Sequence, residues 1–160
     1  MAPTTAAAIA DYFIHVANET GSFISNLKLQ KLVYYAQAWH LAVYNAPLFD
    51  EDFEAWVHGP VIPTLYQEYK QFGWKPIDKQ VEQPNFSKEV QGLLDEVADE
   101  YFGCDAFELE LMTHQEDPWI MARNGLPKDE TSNAIIPKPL MGEYYRQGLG
   151  EENQQEECPA

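Results

Sequence analysis

Between Ser25 and Tyr44 runs SNLKLQKLVYYAQAWHLAVY, twenty residues with no Gly or Pro. Ser25 or Asn26 can open a helix there by accepting a hydrogen bond from a free first-turn N–H. Leu29, Leu32, Val33, Ala36, His40 and Val43 recur at three- and four-residue steps and share one side of that helix. Leu27, Tyr34, Trp39, Leu41 and Tyr44 add apolar bulk on other sides. A helix apolar around most of its girth needs neighbours on several faces. It is too polar to cross a bilayer. The expected fold is therefore mainly α: a compact single-domain helical bundle around a central apolar helix at about 26–44.

The surrounding chain predicts the neighbours. Thr4 or Thr5 caps a first helix to about Asn18, with Ile9, Phe13 and Ile14 on its buried stripe. After the Asn45-Ala46-Pro47 turn, Leu48-Phe49 and Phe53–Val57 alternate loosely, which predicts a small β-ribbon near 48–57. His58-Gly59-Pro60 reads as the lead into a helix over about Val61–Phe72, with Pro60 in its first turn. Trp74–Pro84 reads as loop or a further short strand. Ser87 opens a helix to about Phe102, and Asp105 and Glu108 form a capping box for the next. Asp117-Pro118 starts a short helix, and a last one covers about Pro137–Gln147. Residues 1–147 are expected as one domain and 148–160 as an acidic disordered tail.

A formal charge of −16 at pH 7 disfavours a phosphate-binding surface, so nucleic acid is not an expected partner. The same acidity suits steering toward a basic one. With no apolar leader or twenty-residue apolar run, the expected location is the cytoplasm, with no membrane partner. Cys104 and Cys158 make no framework and are expected as free thiols.

Phosphate-cradling glycine loops, CxxC pairs, HExxH and GxSxG are absent from the sequence, and no cofactor is expected. His58, His114 and Asp117 can be drawn as a metal-dependent enzyme site, although their spacing matches no known ligand pattern. The plainer alternative has His114 and Asp117 bonding backbone groups at a helix junction. His40, with Tyr34 and Tyr35 one turn back, can form a buried polar network as readily as an acid–base site. Lys28 and Lys31 are cations available to pair with the protein's carboxylates.

Leu27-Lys28-Leu29-Gln30-Lys31-Leu32-Val33-Tyr34-Tyr35-Ala36-Gln37-Ala38-Trp39 resembles the signature of the Panacea domain, the SocA-like antitoxin family of bacteria and their phages. Pro47-Leu48-Phe49, Phe53-Glu54-Ala55-Trp56 and His58-Gly59-Pro60-Val61 continue the likeness in order. Thr113-His114, Glu116, Pro118-Trp119 and Ala122-Arg123 are similar to a second signature of that family. The resemblance implies a non-enzymatic protein that binds and neutralises a toxin encoded beside it. One branch of the family implies an alternative, an adaptor delivering its toxin to a Clp-type protease. Trp56, His58 and Tyr66, with Trp74, are the expected toxin contacts at the mouth of the ribbon, since buried aromatic anchors dominate such interfaces.

Overall fold

The computed structural model describes residues 2–149. Seven α-helices and one two-stranded ribbon make up its regular structure. Helix α1 (Ala6–Thr20) starts at Thr5, whose side chain accepts from the Ala8 N–H, and ends on left-handed Gly21. Helix α2 (Asn26–Tyr44) is capped by Ser25 and stopped by Asn45, again left-handed. Fourteen of its nineteen residues are buried, on every side of the helix. The strands β1 (Glu54–Trp56) and β2 (Gly59–Val61) follow, then α3 (Pro63–Tyr69) with a 3-10 turn at Lys70–Phe72. Helices α4 (Lys88–Tyr101), α5 (Ala106–His114), α6 (Asp117–Ala122) and α7 (Lys138–Leu149) complete the chain. Helix α2 packs against α7, α4, α1, α5, α3 and β2, so it is the hub around which the apolar interior closes.

Two glutamines explain how the non-helical stretch after α2 is held. Gln37 donates to the Phe49 carbonyl (2.8 Å) and accepts from the Leu48 N–H (2.7 Å). Seven residues earlier, and so two turns up the same face, Gln30 accepts from the Ile62 N–H (3.0 Å) and donates to Asn26 (3.0 Å). Each glutamine satisfies buried backbone groups that an irregular segment would otherwise leave unpaired.

The ribbon departs from the sequence-based expectation. Leu48-Phe49 is a buried loop, and β1 pairs instead with β2 in the register Glu54↔Val61, Ala55↔Pro60, Trp56↔Gly59. Pro60 therefore lies in a strand, and Pro63 takes the first turn of α3. A proline is tolerated in β2 because the Ala55 N–H opposite it points the other way, to the Ala134 carbonyl at 2.8 Å. Residues 134–136 flank β1 on that outer side, with Ile136 N–H donating to Phe53.

Of the two readings of Trp74–Pro84 the structure has the loop, in which Ile77 is buried and its N–H donates to the Ile24 carbonyl. Further corrections are local. Helix α7 runs through Leu149, two residues into the expected tail, and the rest of that tail lies outside the described residues. Cys104 is fully buried and disulfide-bonded rather than free, and the chain's other cysteine, Cys158, is outside the described residues. Two cysteines far apart in sequence carry no spacing signal from which a pairing could be read. No helix among the described residues is long and apolar enough to cross a membrane.

Candidate protein-binding groove

Three motifs far apart in sequence converge beside α2. Gly59, at φ +103°, lies over the Lys31 side chain, so closely that a Cβ there would stand 2.6 Å from Lys31 Cε and 3.0 Å from Thr113 Oγ1. Only glycine meets both the backbone angle and the contact. Lys31 is fully buried, and its Nζ has no hydrogen-bond partner. Burial pulls its pKa down from 10.5 to about 7, against the opposing pull of Glu110. Next to it, His114 stacks on Trp119 (4.0 Å between ring centres), with Nε2 buried and unpartnered. Burial also lowers the His114 pKa, opposed by Glu110 and by a hydrogen bond with the Val57 backbone.

One turn further along α2 the same kind of interior is fully bonded. Tyr35 and Tyr145 hydroxyls both donate to Glu116 Oε1, each at 2.7 Å. Tyr145 and Tyr34 hydroxyls are 3.2 Å apart, and Trp39 Nε1 donates to the Tyr101 hydroxyl at 2.8 Å. Tyr35 stacks on Tyr101 with ring centres 4.1 Å apart. Burial and the Glu116 charge hold the Tyr145 phenol well above its ordinary pKa. The network expected around Tyr34 and Tyr35 thus exists, but its acceptor is Glu116. His40 stands apart, with Nδ1 2.6 Å from the Ala46 carbonyl and its pKa lowered by burial. Spending its carboxylate on the tyrosines leaves Glu116, at the N-cap position of α6, without a side-chain capping bond.

The ribbon and α3 form one side of an open groove of about 780 Å³. Leu27, Trp56, Val57 and Tyr66 supply its apolar lining, with Glu54, His58, Thr131, Ser132 and Asn133 as polar lining. The Trp56 and Tyr66 rings meet edge to face, 5.1 Å between centres. Glu54 Oε1 accepts from Trp56 Nε1 at 2.9 Å and fixes the indole. Trp119 Nε1 donates to the Trp56 carbonyl (2.8 Å), anchoring the same residue from behind. At the rim, His58 Nδ1 lies 2.9 Å from Glu110 Oε1.

Arg123 tethers the loop ahead of Thr131. Its guanidinium donates to the carbonyls of Ala55 (2.8 Å), Pro127 (2.7 Å) and Glu130, and lies 4.6 Å from the Trp119 ring centre. One side chain thereby joins β1 to the loop that carries Thr131–Asn133.

Of the expected contact residues, Trp56, His58 and Tyr66 line this groove together. Trp74 does not; it is 84% exposed in the loop after α3. Among the described residues Lys28 and Lys31 form no ion pair with a carboxylate: Lys28 donates to the Phe102 carbonyl at the end of α4 (2.6 Å) and covers the Phe102 ring. That arrangement places a cation at a helix C-terminus, where free carbonyls favour it. Nor are His58, His114 and Asp117 gathered about a common centre. His58 faces Glu110, His114 faces Trp119, and Asp117 is exposed in the first turn of α6. Among the described residues no group of three or more His, Cys, Asp or Glu is arranged to hold a metal ion. Glu54 and the 131–133 wall escape sequence reasoning, because nothing local marks them as groove lining.

These elements define a mainly helical scaffold presenting an aromatic groove beside a short ribbon. The chain belongs to the Antitoxin SocA-like, Panacea domain family, whose sequence model matches residues 29–120. That stretch contains α2 from Leu29 onward, the ribbon, and α5 with the Thr113 that meets Gly59. Over 72 residues the chain is 40% identical to a protein named Antitoxin SocA from Caulobacter vibrioides (strain NA1000 / CB15N). The aligned stretch is 45% of this chain and 38% of that relative's length. No solved structure matches.

Proposed function

We propose that this protein is a cytoplasmic, non-enzymatic antitoxin that neutralises a cognate protein toxin, encoded beside it, by direct contact at the groove. The single observation that carries this reading is membership of the SocA-like family over residues 29–120. The groove supports it with rigid aromatic side chains held open to solvent, the residue types that anchor protein interfaces. A masking complex needs on the order of 800 Å² from this partner, so the groove is the anchor of a wider contact.

The test is growth. The product of the adjacent gene, expressed alone, should arrest cells, and co-expression of this chain should restore them. A harmless neighbour removes the basis for the reading. Toxin lifetime in the rescued cells separates masking from delivery to a Clp-type protease: masking leaves it unchanged or longer, whereas adaptor action shortens it. The motive for the adaptor, an acidic tail, lies outside the described residues.

A further inference from the structure

The chemistry of the groove is more specific than an apolar slot. Its lining has two aromatic rings, Trp56 and Tyr66, and one carboxylate, Glu54, beside them. Glu54 spends Oε1 on the Trp56 indole, and among the described residues Oε2 accepts no hydrogen bond. Thr131, Ser132 and Asn133 also line the groove, and their side chains supply further oxygen acceptors. The lining contains neither Lys nor Arg. Of the basic groups nearby, Arg123 donates to carbonyls, Lys31 is buried beneath Gly59, and His58 faces Glu110; Lys128 is exposed and outside the lining.

Building on the antitoxin reading, we infer that the groove receives an arginine side chain of the partner protein. The guanidinium lies against the Trp56 and Tyr66 rings and donates to Glu54 Oε2 and the 131–133 wall. Three features select arginine. Its flat, weakly hydrated cation stacks on aromatic faces, which an ammonium does less well. Its fork of donors can serve a carboxylate and a second acceptor together, as a point charge cannot. A chain of formal charge −16 attracts a basic partner segment and repels an acidic one. An apolar side chain in the same place would desolvate Glu54 without pairing it.

The probe is a capped Gly-Gly-Arg-Gly-Gly peptide, titrated into the full-length protein while the Trp56 indole N–H is followed by NMR and assigned with Trp56→Phe. Lysine and citrulline peptides serve as comparisons. The arginine peptide should move the Trp56 signal saturably at millimolar concentration, with lysine roughly fivefold weaker and uncharged citrulline weaker still. Glu54→Gln retains an acceptor for the indole and the fold, and should weaken arginine binding about tenfold. Equal binding of arginine and citrulline peptides, or an unmoved Trp56 signal, overturns the inference. Failure of the antitoxin reading looks different. A harmless neighbouring gene product leaves the arginine titration unaffected. A toxin neutralised equally well by the Glu54→Gln protein leaves the antitoxin function standing and removes the arginine.

Discussion

Lys31 and Tyr35 lie four residues apart on one face of α2, both fully buried, yet they meet opposite fates. Tyr35 reaches a carboxylate already shared with Tyr145, in a network that ties α2 to α6 and α7. Lys31 reaches the underside of Gly59 and finds no partner for its amine. A neutral hydroxyl meeting a buried carboxylate returns the cost of leaving water, whereas an amine without a partner does not, and it gives up its proton instead. Burial alone therefore does not say whether a polar group stabilises this fold. What it meets there decides.

The largest expected effect is on the unpartnered side. Lys31→Met keeps the apolar stem and removes the amine. The unfolded lysine holds its proton up to about pH 10.5 and the folded one only to about 7. Between those values the unfolded state binds more protons, so wild-type stability rises with pH; the penalty is complete below about 7 and gone above 10.5. The variant should gain about 4 kcal/mol at neutral pH and lose that slope, read by urea unfolding across the range. Destabilisation at pH 7 would mean that Lys31 has a partner after all and would break the contrast.

On the bonded side, Glu116→Ala removes the acceptor that two buried tyrosine hydroxyls share and should cost about 3 kcal/mol, seen as a lower urea midpoint. Gln37→Ala frees the Leu48 N–H and the Phe49 carbonyl and should cost about 2 kcal/mol, with hydrogen exchange quickening first at residues 48–49. The smallest change belongs to Lys28→Met, which removes a cation from the half-exposed end of α4. About 0.5–1 kcal/mol is expected there, as a small fall in melting temperature that shrinks with added salt.

Much of the helical frame was legible because its signals are local. Thr5, Ser25, Ser87 and Asp105 each accept from an N–H of their own first turn, so residue type alone marks the boundary. The burial of α2 followed from its lack of a polar face. The ribbon and its strand at Glu54–Trp56 follow from the alternation, but its partner strand does not, because Gly59-Pro60 carries the same local signature whether it leads a helix or pairs as a strand. The Ala55 contact with Ala134 spans about half the chain in sequence. Likewise the aromatic residues of the groove can be named from their types, but not Thr131–Asn133, which line it with them. Thr131–Asn133 are brought there by Arg123, through backbone atoms that every residue possesses.

That last arrangement has a bearing on how such a groove changes over generations. Arg123 grips Pro127 and Glu130 by their carbonyls, so the clasp is indifferent to which side chains the loop displays. Residues 128–133 can be substituted while the backbone stays tethered, so on the proposed antitoxin reading the surface they display can be altered without redesigning the helices beneath it.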